Sequence, residues 1–411
     1  MRLWHGRSAR RARSGMIRNE RARTISVLGI VEIFAWGSSF YLLAVLAAPM
    51  ARDTGWSSAA ITGGISLGLL VSGMFARKVG RLIQAEGGRR VMAVGMLLLA
   101  CGLALLGFAT NLPTYYAAWC LLGLGMSAGL YDAAFSTLGR LYRRDARSAI
   151  TVLTLWGGFA STVCWPISAF LVESYGWRVA CLVYALVHLL ITAPMCWFSV
   201  PDKQDDPAMD VSSEPRGGKV GNTFRLRFWC IAAAGTVLAM VASIWSVHLI
   251  TILTAQGYAL AVAVGLGTLI GPAQVGARVL EMLGRERHHP VWTMIASTTF
   301  VFFGFAGLLT GVPAAVALLA YGAGNGLWSI ARGALPLVAF GAEDYPRMMG
   351  RLAMPMLIAA AVAPLIGSVL IDRFGTQGTL LTLTFASIVP CLAAAILWLD
   401  LAKSRHRMSF E

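Results

Sequence analysis

Gly80-Arg-Leu-Ile-Gln-Ala-Glu-Gly-Gly-Arg-Arg90 is a short, basic, glycine-punctuated segment between two apolar runs, 58–79 and 90–110. Each run has about the 20 residues that a helix needs to cross a hydrocarbon core. The segment is therefore a tight turn at a membrane surface. Lys and Arg accumulate in cytoplasmic loops, so the turn places its own side in the cytoplasm.

Working outward, apolar runs of this kind recur along the whole chain, at 25–50, 58–79, 90–110, 113–139, 147–172, 177–199, 226–254, 259–283, 290–310, 313–340, 348–371 and 377–400. Only 13% of residues are charged, too few to solvate an ordinary soluble surface. A β-barrel would show alternating segments of about ten residues instead of continuous runs. The expected fold class is all-α integral membrane, with twelve transmembrane helices in two six-helix bundles. The expected divisions are a basic tail (1–23), a first bundle (24–199), a polar linker (200–223), a second bundle (224–401) and a second tail (402–411).

The net charge of +15 lies mainly on one side. That side holds Arg10, Arg11 and Arg13, then Arg77, Lys78, Arg81, Arg89 and Arg90, then Arg140, Arg143, Arg144 and Arg147. Arg285, Arg287, Arg347, Arg351, Lys403, Arg405 and Arg407 complete it. The opposite side has Arg52, Arg178 and Arg373, each with an acid nearby in sequence, Asp53, Glu173 and Asp372. The chain is expected to span a cytoplasmic (inner) membrane many times, with both termini in the cytoplasm. Topology accounts for the basic charge, so no nucleic-acid partner is expected. Residues 1–23 lack the short apolar core and cleavage site of a signal peptide, and either Met1 or Met16 can serve as the start.

The opening turn carries a resemblance. In a twelve-helix chain, Gly80, Leu82, Gly87, Arg89 and Arg90 are similar to the signature loop of the major facilitator superfamily, allowing for one extra glycine. Gln84 stands where that loop has an aspartate, which in the family is thought to lock the two halves by charge. Gln84 keeps hydrogen-bonding capacity without charge. The halves also echo one another: Gly129-Leu-Tyr-Asp132 against Gly326-Leu-Trp-Ser329, Pro166 against Pro364, and Tyr175-Gly-Trp177 against Arg373-Phe-Gly375. Parallel half-repeats produce such echoes.

A narrower pattern resembles the monocarboxylate and oxalate–formate porters. It comprises Gly55-Trp56-Ser57, the basic pair Arg143-Arg144, Gly157-Gly158, Pro166 and Gly176-Trp177-Arg178. It ends with Gln274 four residues before Arg278. The resemblance implies that Arg278 grips an anionic substrate with Gln274 beside it.

Residue chemistry alone points the same way but leaves alternatives. Arg278 lies late in the stretch Gly271-Pro-Ala-Gln-Val-Gly-Ala-Arg-Val-Leu-Glu281. A charge near hydrocarbon depth costs about 2.5–3.5 kcal/mol on insertion scales. Either it meets an anion in a central cavity, with two parallel bonds to a carboxylate, or it snorkels to the surface, paired with Glu281. Tyr41, Trp36, Asn325 and His248 are further candidate lining groups, each with packing as the alternative. Glu32 is a candidate proton-coupling acid. Asp132 and Arg332 either pair across the bundles as a gate or make separate local contacts. His188 reads as a packed histidine, and the seven cysteines as packing residues without metal spacing.

No phosphate loop, nucleophile motif or metal cluster is present in the sequence, so neither an enzyme nor a cofactor is expected. The expected function is secondary active transport of a small organic anion, plausibly a carboxylate, by alternating access coupled to protons or anion exchange. The expected partners are that substrate and the bilayer, with the chain a monomer. The alternatives are a proton-coupled exporter of drugs or toxic metabolites, and a non-transporting receptor or assembly factor on a transporter fold.

Overall fold

A computed structural model describes residues 2–201, 222–284 and 288–408, with side chains left out at 2–18, 144, 222 and 404–408. Most of the linker expected at 200–223 lies outside the described residues, as do Arg285, Arg287 and 409–411. The described residues contain helices and turns and no strand.

The helices follow in order: α1 (Arg2–Gly37), α2 (Leu43–Thr54), α3 (Ser58–Glu86), α4 (Gly88–Gly107), α5 (Leu112–Gly129) and α6 (Tyr131–Tyr142). The first half closes with α7 (Ala146–Gly158), α8 (Ala160–Tyr175), α9 (Trp177–Val187) and α10 (Ala193–Ser199). The second half contains α11 (Asn222–Ala255), α12 (Leu260–Gly267), α13 (Ile270–Leu283), α14 (Pro290–Thr310), α15 (Ala314–Phe340), α16 (Tyr345–Ala386) and α17 (Ile388–Met408).

Among the described residues, ten helical stretches are long and apolar enough to cross a membrane. The last, Tyr345–Lys403, is interrupted by the non-helical Gly375 (φ 69°, ψ 178°) and has the length of two crossings. The first crossing falls outside the ten because α1 starts in basic sequence and the helix breaks before α2. Counted this way, the chain makes the twelve crossings of the expected all-α membrane fold.

Several crossings are built from two helices, and each break has a local cause. Residues 38–42 form turns where Gly37-Ser-Ser39 interrupts the first crossing. Gly37 lies against the Cys164 side chain, and Ser38 Oγ meets His188 Nε2 at 2.7 Å. The fifth crossing bends at Phe159, directly after Gly157-Gly158. Glycine also makes the tight turns: Gly87, Gly176 and Gly375 all take positive φ, a region that costs L side chains dearly. Gly176 and Gly375 sit at matching corners of the two halves.

Each half has its own apolar core. In the first, Trp119, Tyr115, Tyr184 and Phe135 are fully buried; in the second, Trp245 and Phe305 are. Tyr345 and Met349 of the second half pack into the first half's core.

The halves join unevenly. We call the end with the basic loops the basic face and the other the far face. Packing between halves runs through α3 on α16, α6 on α16, and α13 and α15 on α7. The far-face helices α8 and α12 pack within their own halves, α8 on α1, α2 and α9, and α12 on α11 and α15. At the basic face the backbones nearly touch: a Cβ on Gly80 would lie 2.5 Å from the Pro346 carbonyl. The halves therefore meet at the basic face and part toward the far face.

Candidate functional site

The site lies where the joined region gives way to the gap, and it is built around Arg278 on α13. This residue is 7% exposed. Its Nη1 donates to the carbonyl of Thr154 on α7 at 3.0 Å, and its Nε to that of Gly326 on α15 at 3.4 Å. Arg278 thus bridges the halves through neutral carbonyl oxygens and makes no ion pair among the described residues. Glu281, the partner named for a snorkelling Arg278, is engaged elsewhere. Glu281 Oε1 accepts from Thr293 Oγ1 at 2.6 Å, meets His288 Nε2 at 3.1 Å and lies 3.8 Å from Arg147 Nη2.

Gly158 makes room for this arrangement. A Cβ there would lie 2.6 Å from Arg278 Nη1. The neighbouring Gly157 is occupied in the same way by the hydroxyl of Tyr131, which donates to the Thr154 carbonyl at 3.2 Å. One carbonyl therefore collects Arg278 and Tyr131 at the bend of the fifth crossing. Sequence reasoning quoted the glycine pair and Tyr131 but missed Thr154, because a backbone acceptor has no residue signature.

Tyr41, from the unwound turn after α1, stands within electrostatic reach of Arg278. It belongs to a run of rings. Trp165 meets Tyr41 edge-on, with centroids 6.2 Å apart, Tyr41 meets Trp36 at 6.0 Å, and Trp36 meets Tyr131 at 5.1 Å. Gln274 and Asn325 are half-buried, and no hydrogen bond of either side chain is seen among the described residues. Gln274 lies where α13 and α15 approach closely, its carbonyl beside Gly326. His248 stands apart from this group: its Nε2 meets the Pro364 carbonyl at 3.2 Å and its ring packs on Gly367, joining α11 to α16.

Glu32 is fully buried on α1. Its Oε2 accepts from Trp36 Nε1 at 2.8 Å, and its Oε1 has no hydrogen-bond partner among the described residues. Nearer the basic face, Arg332 on α15 forms an ion pair with Asp132 on α6 across the halves. Asp132 Oδ1 is buried without a partner and borders a small cavity that Ser127 and Ser136 also line.

The turn 80–90 adds a neutral connection. Gln84 Nε2 donates to the Glu343 carbonyl at 2.5 Å across the halves, and Arg140 donates to the Gln84 carbonyl within the first half. Leu82 packs on the first core, Gly87 makes the turn, and Arg89 holds the Val200 carbonyl at 2.7 Å. Arg90 is exposed. Charge joins the halves at Asp132–Arg332 and Arg147–Glu281. At the far face, Arg178 pairs with Asp53, not with the Glu173 nearer in sequence. The Arg178 and Trp177 hydrogen bonds hold the Asp53 carboxyl below its usual range.

Comparison with known proteins adds the family. Residues 28–331 match the model of the Major Facilitator Superfamily. The chain is 33% identical over 148 residues to monocarboxylate transporter 11 of Mus musculus, a match covering 34% of this chain and only 30% of that transporter. It is 25% identical over 394 residues to the protein named transcription regulatory protein OpdE of Pseudomonas aeruginosa, covering 90% of this chain and 92% of that one. The human organic anion transporter MFSD10 shares the fold, with a TM-score of 0.71 at 14% identity, over 91% of this chain and 99% of that one. The chain belongs to the Major Facilitator Superfamily, and is a multi-pass membrane transporter and not an enzyme.

Proposed function

We propose that this transporter carries a small organic anion, a carboxylate, through the site at Arg278. The observation that supports this reading is the state of that side chain. A guanidinium removed from water costs several kcal/mol unless a counter-charge repays it, and here its partners are neutral carbonyls. A carboxylate entering from the gap supplies the missing charge in the two-bond geometry that guanidinium favours. The relatives named as monocarboxylate and organic anion transporters agree with that chemistry.

On this reading the halves rock about the site in alternating access. By the positive-inside rule the basic face is cytoplasmic. The arrangement described above is then open to the outside, and both termini lie in the cytoplasm of a cell whose inner membrane holds the chain. Opening inward requires Arg278 to leave the Thr154 carbonyl and Asp132 to release Arg332. A bound anion favours the first step by offering Arg278 a better acceptor. Glu32, buried with one oxygen unpartnered, is the group that would carry a proton with the anion and keep net charge movement small. Gln274, Tyr41, Trp36 and Asn325 contribute polar and aromatic lining, while His248 serves packing.

A thermal-shift screen of the purified protein tests the anion reading. A ligand that binds only the folded state raises apparent stability by about 2.7 kcal/mol at one hundred times its Kd. Carboxylates are expected to raise Tm. A response confined to cations or neutral compounds, as a drug exporter would give, contradicts the reading.

A second reading has one observation in its favour, the full-length similarity to a protein named as a transcription regulator. On it, the chain binds the same anion and reports occupancy without carrying it across. Binding without exchange in sealed vesicles would select that reading.

A further inference from the structure

The fifth crossing touches Arg278 at Gly158, bends at Phe159 and continues toward the far face as α8. Trp165 on α8 is 43% exposed. It leans edge-on to Tyr41, which continues through Trp36 to Tyr131 beside the Thr154 carbonyl. These four rings form a continuous aromatic wall that starts at the guanidinium and ends at the open gap.

The helix opposite is bare where the wall is bulky. Gly271 lies seven residues before Arg278, on the same side of the eighth crossing, and a Cβ there would meet nothing within 4 Å. The space is thus bounded by rings on one side, by glycine on the other, and by one positive charge at its base. Two further features limit what fits. A single guanidinium matches a single carboxylate, and Arg278 is the one charge on these walls that has no counter-charge among the described residues. A cation attracted by the rings would be repelled by Arg278.

We propose that the site selects aromatic monocarboxylates, with the carboxylate on Arg278 and the aryl ring against Trp36, Tyr41 and Trp165. This rests on the anion reading above. A short aliphatic carboxylate satisfies the guanidinium but leaves the ring wall in water. An aryl ring gains offset or edge-on contacts that a saturated ring of similar size does not.

Isothermal titration of the full chain in lipid nanodiscs, with four probes, tests this. The probes are benzoate, cyclohexanecarboxylate, acetate and benzamide. Benzoate is expected to bind about tenfold tighter than cyclohexanecarboxylate, through several ring contacts, and benzamide is expected not to bind. Trp165→Leu, at a half-exposed position, should lower the ratio of benzoate to acetate affinity about fivefold. Equal affinity for benzoate, cyclohexanecarboxylate and acetate, with benzamide excluded, overturns the aromatic proposal and leaves the anion reading standing. Benzamide binding as well as benzoate, or no binding by any of the three carboxylates, overturns both.

Discussion

On the proposed reading, Arg278 turns a cost in the empty protein into specificity for a ligand. Its guanidinium is buried against two carbonyls and no carboxylate. Arg278→Gln removes the uncompensated charge, so the ligand-free Tm is expected to stay level or rise, because replacing buried charge by a neutral group is often neutral or stabilising. The Tm rise caused by a carboxylate should vanish in the same variant, with affinity down about a hundredfold, since charged hydrogen bonds contribute about 1.5–3 kcal/mol each. A lower ligand-free Tm with an intact carboxylate response would mean that Arg278 is structural. Glu32→Gln keeps an oxygen for Trp36 and removes the titratable proton. Transport in that variant should lose its dependence on pH while Tm changes little, as pH-jump uptake can measure. That Arg278 is a charge set within an apolar run was legible in the sequence, and the structure buries it. Its partners were not: Thr154 acts through its backbone, and Glu281, one turn away on the same helix, turns instead to Arg147, His288 and Thr293.

The broken crossings translate glycine and serine into position. Gly37-Ser-Ser39 unwinds the first crossing and releases Tyr41 toward Arg278, and Gly157-Gly158 admits Tyr131 and the guanidinium to the bend of the fifth. Gly158→Ala places a methyl group in contact with Arg278. Overpacking of this kind costs about 1–3 kcal/mol, and the relief open to the protein is to move the arginine. Carboxylate affinity is therefore expected to fall about tenfold or more, with a modest loss in Tm. Unchanged affinity by titration would show that Arg278 does not need its present seat. The sequence showed the glycine pair Gly157-Gly158. It did not show which side chains would occupy the space, since that depends on neighbours brought by tertiary packing. The turn 80–90 was legible as a turn, but the consequence of Gln84 was not. It joins the halves by a neutral bond to the Glu343 carbonyl, and the charged connections sit at Asp132–Arg332 and Arg147–Glu281.

Across the molecule, two cores of six crossings each are held together at one end. The number of crossings was legible because each apolar run is close to the thickness of a bilayer, and the half-repeat showed in corners such as Gly176 and Gly375. Where the halves touch was not legible, because Gly80 and Gly350 meet the opposite backbone at positions that no periodicity marks. The ion pair between Asp132 and Arg332 bridges the halves at that end. Breaking such a pair leaves a charge alone and costs about 3 kcal/mol. Asp132→Asn should therefore speed hydrogen–deuterium exchange in α6 and α15, and adding Arg332→Gln should restore part of the protection. Exchange unchanged in the single variant would remove the pair from any gating role. The central claim is that the chain moves an organic anion past Arg278, and counterflow in proteoliposomes tests it most directly. Vesicles loaded with unlabelled benzoate and carrying the unaltered protein should accumulate external labelled benzoate transiently, while vesicles with folded Arg278→Gln should not; equal accumulation in both, or carboxylate binding with no counterflow in either, would contradict the account.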